Sequence, residues 1–255
     1  MPAGLRRTFC DSSTPLALEM FIRLIIGNGL RRIIGKDRYI RLRNGYRAEH
    51  AYLRKVRGVI HIGANSGQER DLYAAFGLYV AWIEAIPEIF ETLRLSISEF
   101  PEQHAYNYLI ADDDGKAYKL HIADNNGASS SILDLARHSE MYPQITYEDA
   151  IILKGATLPS VLAAEQLDIL RFDALVLDTQ GSELKILKGA ASLLSNFKFV
   201  KVEVLEFESY KDCCQIGELS AFMVLNGFRE SNRFPITHTP GVGTYFDVLY
   251  ERIRR

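Results

Sequence analysis

The chain has 255 residues, of which 47% are hydrophobic and 24% charged; this excludes a disordered or fibrous chain and allows one large core. Three cysteines, with no CxxC pair and no even framework, exclude a disulfide scaffold and a cysteine-built zinc site and point to a reducing, cytoplasmic setting. The net charge of −2 hides an asymmetry, because residues 1–57 hold 13 Lys/Arg against 4 Asp/Glu and the remainder is acidic.

Residues 1–55 read as a basic, helical N-terminal extension, densest in charge over 31–43. The apolar stretch 16–34 is broken by Glu19, Arg23, Arg31 and Arg32, so it falls short of a membrane span. Leu18, Phe21, Ile22, Ile25 and Ile26 make one helical stripe, expected to pack on the following domain. Weak contact with a membrane surface is the expected secondary use of the basic arm. No nucleic-acid partner is expected, since aromatic and basic residues do not interleave there.

From residue 56 to 255, short apolar runs alternate with helix-patterned stretches, which implies parallel strands joined by crossover helices. A first strand over 59–62 ends in Gly63-Ala64-Asn65-Ser66-Gly67, and a helix over 68–76 stops at Gly77. A second strand over 80–83 closes on Glu84 and Ala85, and Pro87 opens the next helix. A third strand is predicted over 106–111, with an added strand over 116–123 pairing back on it. The polar stretch 124–131 reads as a functional loop, and Thr157 as the cap of a short helix after an irregular stretch. Strands follow over 174–177 and 199–204, helices over 185–194 and 216–225, and two last strands over 227–230 and 245–250.

In an open parallel sheet, ligands bind beyond the carboxyl ends of the strands. Gly63, Asn65, Gly67, Glu84, Asp112 and Asp178 all fall there, with Glu203 late in its strand. A dinucleotide fingerprint needs glycines where the chain has Asn65 and Gln68, which disfavours a nucleotide-dependent oxidoreductase. Two glycines that let backbone approach a ligand, followed by an acid for ribose hydroxyls, suit an adenosyl ligand without pyrophosphate, namely S-adenosylmethionine.

The runs His61-Ile62-Gly63-Ala64-Asn65-Ser66-Gly67-Gln68-Glu69, Trp82-Ile83-Glu84-Ala85-Ile86-Pro87 and Ser129-Ser130-Ser131 resemble motifs of FkbM-type methyltransferases. So do Leu177-Asp178-Thr179-Gln180-Gly181-Ser182-Glu183, Val202-Glu203-Val204 with Tyr210, and Phe246-Asp247-Val248. The resemblance spans about residues 56–252 in collinear order. It implies a class I (Rossmann-like) doubly wound α/β fold, with a mostly parallel seven-stranded sheet and an antiparallel edge strand. It further implies S-adenosylmethionine as cofactor and methyl transfer to a hydroxyl of a sugar, glycan or small natural product. Carried over, His61, Gly63, Ala64, Asn65, Gly67, Glu84 and Ala85 belong to the cofactor site, and Asp112 lies near the adenine. His61 departs from the acid common at its position, and Gln180 stands where many relatives have Glu.

O-methylation needs an oriented acceptor and a proton acceptor. Asp178, at both the cofactor and catalytic end, is the first candidate, with Glu203 and His238 as the others; the competing role for Asp178 is to cap the next helix. Ser129, Ser130, Ser131, Gln180, Glu183 and Tyr210 are candidates for acceptor contacts, and no resident metal is expected. A binding protein that keeps the fold without turnover is the second alternative.

Overall fold

The computed structural model describes residues 48–253. The predicted apolar helix and the basic stretch 31–43 lie outside these residues. The last turn of the expected extension, a 3-10 helix over Ala48–Lys55, packs on the domain, with Tyr52 and Leu53 buried in its core.

The main sheet has seven strands: β1 (Gly58–Ile62), β2 (Tyr79–Glu84), β3 (Gln103–Asn107), β7 (Ala174–Leu177), β8 (Phe199–Leu205), β9 (Phe228–Thr239) and β10 (Gly243–Arg252). Their order is β3-β2-β1-β7-β8-β10-β9. The first five run parallel, and β10 runs antiparallel to both β8 and β9. The antiparallel strand therefore sits one place in from the edge, and β9 forms the edge itself. β9 is much longer than predicted because its ladder with β10 absorbs two register shifts.

Six helices cross over or cover the sheet: α1 (Arg70–Ala75), α2 (Pro87–Ser96), α3 (His138–Met141), α4 (Leu158–Ala164), α5 (Glu183–Gly189) and α6 (Ile216–Leu225). β1 and β7 are buried along their whole length, as strands covered on both faces must be. β8 divides by pleat: Val200, Val202 and Val204 enter one apolar cluster, while Phe199 enters the other and brings Lys201 and Glu203 to its face.

The predicted third strand is split at Tyr108. β3 joins the main sheet, whereas β4 (Leu109–Ile110) pairs with β6 (Tyr147–Ala156) in a second, three-stranded sheet. The added strand β5 (Ala117–Ala123) pairs antiparallel with β6, not with the third strand. Its partner β6 lies in the stretch read as irregular: its apolar run Ala150-Ile151-Ile152-Leu153 is short and flanked by Glu148, Asp149 and Lys154.

Candidate active site

A cleft of ≈ 210 Å³ opens at the carboxyl ends of β1, β2 and β7. His61, Gly63, Ala64, Asn65, Glu84 and Ala85 all line it, as do Ser130, Asp178 and Gln180. The loop after β1 turns at Gly63, whose φ is +80°. A Cβ there would lie 1.8 Å from the Asp178 carbonyl oxygen, so glycine permits β1 and β7 to close at this level. Gly67 has a different duty. An added Cβ would strike Leu93 of α2 at 2.8 Å, which assigns Gly67 to packing and not to the cofactor wall.

Glu84 is 6% exposed and accepts from the backbone N–H of Asn65 at 2.9 Å and of Ile86 at 2.8 Å. Burial raises its pKa, and these backbone donors work against that rise. Each oxygen uses one acceptor position on the backbone, which leaves two for vicinal hydroxyls. Beyond Glu84 the wall is apolar, formed by Ile86, Leu109 and Ile110 with the ring of Tyr108. Such a slot beside a buried carboxylate fits S-adenosylmethionine. Asp112 does not belong to it: its side chain is exposed and accepts from the Tyr118 hydroxyl at 2.8 Å. After β4 ends at Ile110 the chain turns outward towards β5, and this carries Asp112 off the cleft.

The polar loop closes over the cleft. Asn65 Nδ2 donates to the Asn126 carbonyl at 3.2 Å, and Gly127, Ala128 and Ser130 face inward. Ser129 and Ser131 are spent on structure instead. Ser129 is held by Asn125, and the Ser131 hydroxyl donates to the Gln180 carbonyl at 2.6 Å.

The segment after β7 brings the ionisable side chains of the site together. Gln180 has φ +56°, which turns its side chain back onto the strand ends. Its Nε2 donates to Asp178 Oδ1 at 2.8 Å and to Glu203 Oε1 at 3.3 Å, while its Oε1 accepts from the Tyr210 hydroxyl at 2.6 Å. Register extends the same row: Leu177 stands opposite Val202, which brings Asp178 to the level of Glu203, and Glu203 stands opposite Asp247. Burial drives the Asp178 carboxyl up to about 7, against the Gln180 hydrogen bond. Burial likewise lifts Glu203 well above the usual carboxylate range, and the neighbouring Asp178 charge adds to it. One step down the strand, Lys201 pairs with Asp247 at 2.7 Å.

Glu203 and Tyr210 thus stand behind the cleft wall and reach it through Gln180, because Gln180 lies between them and the opening. Glu183 is not an acceptor-binding group. It is 2% exposed, and its Oε1 accepts from the N–H of Thr179 and Gly181 and from the Thr179 hydroxyl. That makes Glu183 the brace of the 178–182 turn; the helix that follows has Ser182 at its N-cap and no side-chain cap, so Asp178 does not cap it. His238 is also off the cleft: it is exposed on β9, not in a loop, and its Nδ1 pairs with the Thr244 hydroxyl at 2.9 Å.

His61 lines the cleft as a neutral ring. It is 5% exposed, stacks on Trp82 at 4.9 Å and pairs through Nδ1 with the Tyr73 hydroxyl at 3.1 Å. Burial first, and the Lys201 charge second, hold its pKa down at about 3. Sequence reasoning missed the apolar wall at 108–110 and also Gly127, Ala128 and Thr179. Of these, the two residues in the 124–131 loop carried a signal, the polar run itself. Among the described residues, no group of three or more His, Cys, Asp or Glu is arranged to hold a metal ion, and no helix is long and apolar enough to cross a membrane.

The model of the methyltransferase FkbM domain matches residues 61–230. No curated protein matches the chain. Among solved structures, the chain is similar to 1,6-didemethyltoxoflavin-N1-methyltransferase of Burkholderia thailandensis, at 10% identity and TM-score 0.45, over 99% of this chain and 95% of that one. It is also similar to magnesium protoporphyrin IX methyltransferase of Synechocystis PCC 6803, at 11% identity and TM-score 0.44, over 96% and 100%. Likenesses this distant say nothing of an acceptor. The domain match covers the glycine turn, Glu84, the 124–131 loop and Asp178, the parts from which the cleft is built, and the chain belongs to the FkbM methyltransferase family as an S-adenosylmethionine-dependent methyltransferase.

Proposed function

We propose that the chain methylates a hydroxyl on a sugar, glycan or small natural product, with Asp178 as the proton acceptor. The observation that carries this reading is Asp178 itself, a carboxyl in the cleft wall whose pKa is raised by burial to about 7. A base poised near the working pH is at its most effective for taking a hydroxyl proton.

S-adenosylmethionine supplies an electrophilic methyl group when bound. Glu84 takes the ribose hydroxyls, the turn at Gly63 to Asn65 lets backbone come close, and Tyr108 to Ile110 receive the base. Asp178 accepts the proton from the acceptor oxygen. Gln180 keeps the Asp178 oxygen aimed by donating to it, and Tyr210 fixes the amide so that Nε2 faces the two acids. Asp178 and Glu203 repel one another when both are charged, so the pair retains a proton between them near neutral pH.

The test is to incubate the protein with methyl-labelled S-adenosylmethionine and a fractionated extract of hydroxylated metabolites and saccharides, then identify the labelled product by NMR. A labelled methyl ether is expected. A label on nitrogen, sulfur or carbon would overturn the reading.

A further inference from the structure

The amino ends of the parallel strands form a face the cleft does not use. Seven large hydrophobic side chains are exposed among the described residues, and four gather here: Leu170, Val224, Leu225 and Ile253. Leu225 is 86% exposed, in the last turn of α6. A continuous set of bonds ties these positions together. Arg57 donates to the Leu170 carbonyl and to Asp173, and Lys198 also pairs with Asp173. The Lys198 carbonyl accepts from Arg252 N–H, and the Gly227 carbonyl accepts from Ile253 N–H, two residues past Leu225.

The same face is basic. Lys55, Arg57, Arg171, Lys198, Arg229 and Arg252 stand on it against Glu102, Asp168, Asp173 and Glu251, and Asp173 is buried. In sequence, β10 is followed by Arg254 and Arg255, and the 3-10 helix by which the chain enters β1 is preceded by the basic stretch 31–43. The aromatic rings here are already covered by cations: Arg171 lies 3.4 Å from the Tyr79 ring, Arg252 4.7 Å from Phe228 and Lys55 5.7 Å from Phe199. These three rings are therefore not free for stacking bases, which argues against single-stranded nucleic acid. Aliphatic side chains standing proud among lysines and arginines match the interface of an anionic bilayer, where the former enter the acyl boundary and the latter meet phosphates.

We propose that this face docks on an anionic phospholipid surface, with Leu225, Val224 and Ile253 inserted and Lys55, Arg57 and Lys198 at the headgroups. The active cleft, at the opposite ends of the strands, then opens away from the membrane.

The full chain should sediment with vesicles of phosphatidylcholine containing one third phosphatidylserine, and far less with phosphatidylcholine alone. Leu225→Glu should lower the bound fraction's partition constant on the order of tenfold. Lys198→Gln, an independent change of charge, should lower it about fivefold. Ile152→Glu, at another exposed position, on β6, should leave it unchanged and so control for added charge. Unchanged binding by folded Leu225→Glu and Lys198→Gln overturns the proposal. So does failure of the wild-type chain to sediment, or loss of a self-associated form in solution as the effect of Leu225→Glu, which would make the face a contact between copies.

Discussion

Asp178, directly after β7, and Glu203, on the neighbouring parallel strand β8, share a single donor, the Gln180 amide nitrogen, 2.8 Å from one carboxylate and 3.3 Å from the other. One neutral amide thus bonds to two buried acids and opposes, at both, the rise in pKa that burial imposes.

Asp178→Asn keeps the size of the side chain and still offers Gln180 an acceptor. Turnover on the true acceptor should fall on the order of 10²-fold or more while S-adenosylhomocysteine still binds. Stability should move the other way. A buried carboxyl whose pKa is raised in the folded chain binds more protons there than in the unfolded chain, so stability falls as pH rises from about 4 to 7. The Asn variant escapes that loss and should be about 1–2 kcal/mol more stable at neutral pH. Thermal melts and single-turnover rates on the same sample check both halves, and wild-type turnover would remove Asp178 from the chemistry.

The pH–rate profile should rise through an apparent pKa near 7 that belongs to the Asp178–Glu203 pair. Gln180→Leu removes the donor that holds both carboxyls down, so the rising limb should shift to higher pH. A limb that stays in place, measured as kcat/KM across pH 5 to about 9, would mean that the pair is not the titrating group.

Glu84→Ala should weaken S-adenosylhomocysteine by about 1.5–3 kcal/mol, the worth of charge-assisted bonds to the ribose. The same change frees the N–H groups of Asn65 and Ile86. Glu84→Gln keeps an acceptor for them and separates the two effects. Calorimetry that finds full affinity in folded Glu84→Ala would place the ribose elsewhere.

His61 remains neutral in the folded chain down to about pH 3, whereas in the unfolded chain it takes up a proton below about 6.5. The unfolded state therefore gains protons first as pH falls, and stability drains away between those two values. His61→Phe, which preserves the stack on Trp82 but loses the Tyr73 bond, should shrink the stability difference between pH 7 and pH 5 by about 2 kcal/mol. Denaturant midpoints at the two pH values read this directly.

What the sequence disclosed follows from where apolar residues are continuous. β1, β2, β7 and β8 are the buried centre of the sheet, and their apolar runs placed them to within a residue or two. The acids and glycines that follow those runs marked the cleft. β6 was missed because its apolar run, Ala150-Ile151-Ile152-Leu153, is only four residues long, partly exposed and set among Glu148, Asp149 and Lys154. The same gap misdirected β5 and Asp112, since the partner that pulls them away from the main sheet was not visible. A cap was the competing role for Asp178, since Gly181 and Ser182 follow it, whereas the helix has no side-chain cap and Glu183 reaches back to Thr179 and Gly181. Turn geometry of that kind depends on Gln180 adopting a left-handed backbone, which no residue pattern announces.

The long edge strand has a consequence for how the protein behaves in concentrated solution. β9 presents Arg229, Glu230 and Arg233 on its exposed residues, and Pro235 falls within its ladder to β10, at one of the two register shifts. Proline offers no N–H to an incoming strand, and the shifts twist the outer edge away from flatness. A neighbouring chain meets charged, hydrated side chains and an interrupted row of donors there, which disfavours growth of the sheet from molecule to molecule at this strand.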